Sequence, residues 1–336
     1  MSNEPDAVRP RVDLYRQITG RIIEALERGV APWVCPWQRS REKGPQRNGV
    51  SGRQYQGINT LLTMIAGFAS TRWYTARQVG KLGGRLLEGE RATTLVWFEM
   101  RYIETSEGPD GVGTVGRVVP VLREHEVFNA EQIAWPEGSK HALPVAPERR
   151  GQWEDELPRQ LVERSGARVE RRGTRAYYSP SEDRIVLPVE ERFEDPTSYY
   201  GTLLHELAHW TGHRDRLDRD FSKRFGDERY AFEELVAELT AAFLCAHVGL
   251  DGTLQHAGYI DSWLNVLRRD KRAIFTASAQ AQKAAELLLW KGGLGPEPRR
   301  PKGPWTPPDA EAGEAEPSQR RRRHPRETGS QTFVDS

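Results

Sequence analysis

Cysteine is nearly missing from this chain: Cys35 and Cys245 are the only two among 336 residues. Two thiols exclude a disulfide framework and an all-cysteine zinc site, and they fit a reducing compartment. Long apolar runs are missing too. The longest, around 61–69, falls far short of the roughly 20 residues a membrane span needs. The amino terminus, MSNEPDAVRP, lacks the basic-then-apolar pattern of an export signal. These absences give a cytoplasmic expectation with no membrane partner. Net charge is also small, 49 basic against 48 acidic side chains, so bulk charge alone names no partner.

What is present is enough for a packed core: 37% hydrophobic residues and 10 tryptophans exclude disorder along the full length. The length suits two domains, or one with a tail. The near-neutral total hides a division. Residues 1–150 hold 21 basic and 17 acidic side chains, whereas residues 151–290 hold 19 and 24. Within the first part, residues 39–91 carry 10 basic against 3 acidic groups, a local field suited to a polyanion. Residues 291–336 contain 8 of the 22 prolines and the run Arg320–Arg323, with no apolar periodicity, and read as a disordered tail.

Periodicity predicts an α+β chain. A helix over 11–29 places Leu14, Ile18, Ile22 and Leu26 on one face, with Ile23 beside them. A second helix is expected over 55–69, opened by Asn59 or Thr60, and a third over 75–82 capped by Thr75. Strands at 93–102 and 116–122 follow, so helices precede a small antiparallel sheet in a domain over 10–133. A linker is expected at 134–155 and a second domain at 156–290. That second domain starts with a helix at 156–165 and short strands at 168–171, 176–179 and 184–187. Helices at 197–212 and 231–248 come next, then one long helix over 260–289.

The chemistry is concentrated in His205-Glu206-Leu207-Ala208-His209. Side chains four apart share a helix face, so both imidazoles are able to grip one Zn²⁺. Glu206, next to the first histidine, is placed to act as general base towards water without being a ligand. A third ligand is required. Glu234 and Glu238, four apart on the helical stretch 231–243, supply one: Glu234 as ligand, Glu238 as the carboxylate that accepts a histidine's free N–H. Glu233 is the fallback. Asp215 is the rival, because HELAHWTGHRD also fits a pattern in which Gly212 turns the chain back towards the metal, and His213 is a further candidate. The bland alternative, two ordinary helix histidines, would place them among apolar Leu203, Leu204, Leu207 and Ala208 with no partner for their polar atoms, which is costly.

The basic stretch is interleaved with rings. Trp33, Trp37, Tyr55, Trp73 and Tyr74 alternate with Arg39, Arg47, Arg53, Arg72 and Arg77. Single-stranded nucleic acid asks for this mixture, cations for phosphates and ring faces for unpaired bases. The alternative is that the rings belong to the core and the arginines to a solvated surface.

Several motifs together carry a family resemblance. PW-x-x-PW from Pro32, Y-x-G-I-N from Tyr55, W-Y-T-x-x-Q from Trp73, G-x5-G-E from Gly83 and V-F-N-x-x-Q-I from Val127 occur in order. They are followed by A-Y-Y-S-P-x-x-D-x-I-x-L-P from Ala176, the Tyr199–His213 segment and F-E-E-L-V-A-E-L from Phe232. Over about residues 10–290 the chain resembles the ArdC antirestriction proteins, and also part of the plasmid TraC primases. The resemblance implies a domain that binds single-stranded DNA, then a zincin-like metallopeptidase domain, in a mobile-element protein that protects entering DNA from restriction. It maps the zinc pattern onto His205, His209 and Glu234 with Glu206 catalytic, and adds Asn59, within Y-x-G-I-N, to the nucleic-acid face. Implied partners are single-stranded DNA and a host restriction enzyme or other protein substrate. Two other functions stay open: an intracellular zinc peptidase cleaving a regulatory protein, and a DNA-binding module whose zinc domain is inactive.

Overall fold

Asp13 opens the first helix by accepting the Arg16 N–H at 3.3 Å on its carboxylate. That helix, α1 (Leu14–Glu27), stops before Gly29, whose φ of 74° suits glycine. Its expected stripe is the buried one: Ile18, Ile22 and Leu26 lie in the core, and Leu14 is half-buried. The computed structural model describes residues 13–29, 31–33, 44–105, 115–143, 156–219, 228–250 and 257–298. Of the tail expected over 291–336, Lys291 is helical and residues up to 298 are described, while 299–336, like residues 144–155 of the expected linker, lie outside them.

The first half is built on a four-stranded sheet ordered β1-β2-β5-β4, from β1 (Arg47–Asn48), β2 (Arg72–Tyr74), β4 (Thr93–Thr105) and β5 (Val115–Asn129). It is mixed rather than antiparallel, since β1 and β2 run parallel. A separate two-stranded ladder joins β3 (Arg85–Leu86) to β6 (Ile133–Ala134). β5 runs seven residues past the expected Leu122, because Arg123–Asn129 pair with β4 and, at the end, with β2. The added residues include the charged run Arg123–Glu126, which cross-strand pairing carries within the strand. α2 (Ile58–Ile65) is capped by Gly57, not by Asn59 or Thr60. Asn59 instead brackets the Val96 backbone, Nδ2 donating to its carbonyl at 2.7 Å and Oδ1 accepting its N–H at 2.9 Å. α3 (Ala76–Lys81) has the expected Thr75 cap, closed into a capping box by Gln78.

The second half begins with α4 (Glu156–Ser165) and a sheet ordered β7-β9-β8, from β7 (Arg168–Arg171), β8 (Tyr177–Ser179) and β9 (Arg184–Leu187). α5 (Pro196–Thr211) has Asp195 as its cap and proline in its first turn. α6 (Glu228–Val248) packs against α5. The expected long final helix is two, α7 (Ile260–Arg269) and α8 (Ala273–Lys291). Asp270 breaks it by adopting extended backbone and accepting the Arg272 N–H on its side chain at 2.8 Å. Asp competes with the helix in this way wherever a turn is available.

The two halves share one apolar interior. A single cluster runs from Ile18, Leu61 and Trp73 to Leu204, Leu235 and Leu288. The Trp33 ring meets Trp263 of α7 at 5.5 Å, and Thr19 of α1 donates to the Lys271 carbonyl at 2.7 Å. Among the described residues no helix is long and apolar enough to cross a membrane.

Candidate metal centre

α6 is buried on nearly every side: Leu235, Val236, Ala237, Leu239, Ala241 and Leu244 are all inside. Such a helix belongs in a core, yet it carries Glu233, Glu234 and Glu238 at 4%, 5% and 0% exposure. Buried carboxylates persist only beside compensating charge. Facing them from α5 are His205 and His209, equally buried.

His205, His209 and Glu234 present one ligand atom each within a 4.8 Å sphere of mutual distances. The two Nε2 atoms lie 3.2 Å apart, and Glu234 oxygens sit 3.4 Å from Nε2 of His205 and 3.5 Å from Nε2 of His209. Zinc bonded at about 2.0–2.1 Å in a tetrahedron separates its ligand atoms by about 3.3 Å. The Nε2–Nε2 separation is close to that value, and Glu234 presents Oε2 to His205 and Oε1 to His209 at similar distances, so its carboxylate spans both imidazoles. The outer nitrogens are also served. His209 Nδ1 meets Glu233 Oε1 at 3.1 Å, and His205 Nδ1 lies 3.4 Å from Glu238 Oε2. A carboxylate on the far nitrogen fixes the tautomer that aims Nε2 at the metal.

The other candidate ligands sit elsewhere. Glu233 is on the Nδ1 side of His209, so it orients that ring instead of competing for the ion. Asp215 is 72% exposed and pairs with His213 Nδ1 at 3.4 Å, in the turns that follow Gly212. Helical spacing, which pairs Glu234 with Glu238 and turns Glu233 away, favours Glu234 as the ligand; the contact of Glu233 with the outer nitrogen of His209 is what spacing does not show.

Electrostatics agree with a cation site. Burial works against charge on His205, but the carboxylates of Glu234 and Glu238 outweigh it and raise the ring to about 10. Burial likewise opposes charge on His209, and Glu233 and Glu234 bring it to about 9. Glu234 is lowered despite burial, held ionised by the two imidazoles. The pocket thus collects protons when no metal competes for it. Two phenols complete it: Tyr230 and Tyr259 touch through their hydroxyls at 3.1 Å, and both feel the charge of Glu234. Tyr259 also feels Glu206 and stays protonated well above neutral pH, burial being the main cause.

A pH dependence follows for the metal-free protein. The ordinary histidine value is 6.5, so stabilisation from the two raised imidazoles is complete below that pH and is lost as pH rises through 9 and 10. Metal competes with those protons, so binding tightens as pH rises. Melting temperature in EDTA should fall from pH 7 to 10, while the gap between zinc-loaded and EDTA-treated samples widens. A gap that narrows with pH contradicts this.

The residues expected to contact nucleic acid divide. Trp33, Trp73 and Tyr74 are 1%, 0% and 0% exposed and have no open face. Trp73 Nε1 donates to Gln46 at 2.6 Å, and the Tyr74 hydroxyl meets His141 Nδ1 at 3.2 Å. The Tyr74 ring lies so close over Gly49 that any Cβ there would fall 2.0 Å from it. These three rings are core, a correction to their reading as stacking platforms. Asn59 is committed to Val96, and Arg72 spends its guanidinium on the carbonyls of Lys140, His141 and Ala142. Arg53 and Arg77 are exposed, and Arg47 and Tyr55 are half-buried. Trp37 and Arg39 lie outside the described residues. Sequence reasoning missed the rings that do face outward: Trp97, Phe98 and Tyr102 on β4 are 48%, 50% and 65% exposed. The signal was available, since Trp97 and Phe98 are adjacent in a strand and so point to opposite faces, and Phe98 and Tyr102 share one of those faces.

A helix bearing two histidines and a glutamate, with a downstream carboxylate closing the site, defines a zincin-like domain. Comparison with known proteins agrees. A family model described as zincin-like metallopeptidase matches residues 157–280, and one described as the N-terminal domain of anti-restriction factor ArdC matches residues 12–128. The crystal structure of the antirestriction ArdC protein from the R388 plasmid, in its metal-free form, is 37% identical. It matches with a TM-score of 0.67, over 85% of this chain and 100% of that one. Its Mn(II)-bound form is 38% identical with a TM-score of 0.64, over 84% and 98%. The chain belongs to the ArdC family of antirestriction proteins. It is also 36% identical over 292 residues to a DNA primase TraC of Escherichia coli, covering 82% of this chain but 27% of that relative. An uncharacterised protein, y4eC, of Sinorhizobium fredii is 35% identical, over 82% of this chain and 91% of the relative.

Proposed function

We propose that this protein is a cytoplasmic antirestriction factor of a mobile element that binds single-stranded DNA and carries a zinc peptidase site in its second half. The observation that carries the hydrolytic part is the convergence of His205, His209 and Glu234 with Glu206 on the same helix. Among the described residues this group offers three ligands, which leaves a coordination position for substrate or water, whereas structural zinc sites are closed by four. Zinc held there supplies a Lewis acid that polarises a carbonyl and lowers the pKa of its water to about 7. Glu206 takes the proton released when the nucleophile attacks and passes it to the leaving amine. The hydroxyls of Tyr230 and Tyr259, kept protonated by burial, are donors at the same pocket for the oxygen that gains charge.

The DNA-binding part is supported by chemistry on the first half. Arg53 and Arg77 are exposed cations, and Arg47 on β1 is half-buried. The β4–β5 ribbon adds open rings: Trp97 sits directly across from Arg123, while Phe98 and Tyr102 share the opposite face. Arg101 and Arg123 share a single carboxylate, that of Glu99, at 2.8 and 2.7 Å, which places two guanidinium groups beside these rings. Each base stacked on an aromatic ring contributes on the order of 1–3 kcal/mol. The triple variant W97A/F98A/Y102A should therefore bind a fluorescent oligonucleotide at least about 10-fold more weakly with an unchanged salt slope. The double variant R53A/R77A should instead flatten the slope. Fluorescence anisotropy across a salt series checks both, and wild-type protein without salt-sensitive binding would refute the DNA-binding half. Guarding entering DNA, by covering it or by cleaving a restriction enzyme bound to it, is the activity that joins the two halves.

A further inference from the structure

The groups that orient the two histidines differ in what holds them. Glu238 lies beside His205 inside α6, but Glu233, which orients His209, is itself gripped from outside both site helices. The grip is Arg219, in the turns after α5. Its Nε donates to Glu233 Oε2 at 2.9 Å and its Nη2 to Glu233 Oε1 at 2.8 Å, a two-point clamp on the carboxylate plane. The rest of the guanidinium is tied to α5: Nη2 also donates to the Ala208 carbonyl at 2.7 Å, and Nη1 to Thr211 Oγ1 at 2.8 Å. Its backbone N–H donates to the Gly212 carbonyl at 2.9 Å. The side chain is only 6% exposed and Glu233 only 5%, so the pair is a buried ion pair and not a surface one.

We infer that Arg219 is a positioning residue for the metal ligands. A buried carboxylate free to rotate would offer His209 Nδ1 several geometries. Clamped in two places, Glu233 offers one, with Oε1 at 3.1 Å from Nδ1, and His209 Nε2 is thereby directed at His205 and Glu234. Arg219 also supplies the cation that Glu233 needs inside the protein, so that a dication is left to balance Glu234 and Glu238. Lysine lacks the planar fork and would keep the charge while losing the two-point geometry.

The inference rests on the metal reading, and its test keeps the two apart. Full-length R219K, R219M, E233Q and R219M/E233Q are compared with wild type for zinc dissociation constant by chelator competition. The absorption spectrum of the cobalt-loaded form and the melting temperature in EDTA are recorded alongside. R219M should weaken zinc by about 10- to 100-fold and shift the cobalt bands. R219K should recover part of that loss, and the double variant should bind zinc no worse than E233Q, because both changes act through one histidine. If R219M does not fold, R219K against E233Q decides: a cobalt spectrum altered in both supports the inference. Zinc affinity within about 2-fold of wild type in R219M, or in R219K where that variant decides, overturns it, as do fully additive losses in the double variant. Wild-type protein that binds no zinc would overturn the metal site itself.

Discussion

Replacing Glu234 with alanine should cost zinc affinity of about 100-fold or more, beyond what loss of an outer partner costs. The reason lies in what its neighbours are already doing. Glu238 is 0% exposed and faces His205 Nδ1, and Glu233 is clamped by Arg219 on the far side of His209. Neither is free to swing to the Nε2 atoms without abandoning a buried partner. Among the described residues, two imidazoles 3.2 Å apart then remain of the ligand group. Dialysed protein should carry close to one zinc per chain in the wild type and almost none in Glu234→Ala, by elemental analysis. Asp215→Ala, at an exposed position, serves as the control and should retain its metal. If Asp215→Ala loses zinc and Glu234→Ala keeps it, the third ligand has been assigned wrongly.

Glu206→Ala should separate chemistry from binding. Loss of a general base costs about 10²- to 10⁴-fold in rate. Glu206 shares α5 with both histidines but is absent from the ligand group. The variant should therefore hold zinc as wild type does, and bind oligonucleotide as wild type does, while cleavage of fluorescently labelled casein disappears. Loss of DNA binding together with cleavage would contradict two separable activities. Cleavage that survives the change would remove Glu206 from the reaction.

The metal centre was legible in the sequence because its geometry is mostly local. Helical spacing alone puts His205 and His209 on one face, and the carboxylates of α6 recur at the same period. What was not local is the role of Glu233 on the outer nitrogen of His209, since it depends on how α6 rolls against α5. Arg219 was illegible for the same reason: it lies in irregular turns, and only the folded chain brings it to Glu233. The aromatic residues taught the opposite lesson. Trp33, Trp73 and Tyr74 satisfy the composition of a stacking surface and the composition of a core equally well, and burial decided for the core. The helix break at Asp270 was hidden because RRDKR is polar throughout and so carries no periodicity to interrupt. Of the helix caps, Thr75 was legible because its side chain bonds to its own first turn, a contact visible from spacing, whereas sequence reasoning missed Asp13 and Asp195, which cap their helices in the same way.

The claim on which the rest stands is that one divalent ion sits between α5 and α6. Anomalous diffraction at the zinc edge, from crystals of the full chain grown with zinc, tests it directly. The account predicts one strong peak at about 2.0–2.1 Å from Nε2 of His205, Nε2 of His209 and a carboxylate oxygen of Glu234. No peak there, or a peak bound by Asp215 and His213 instead, would contradict it.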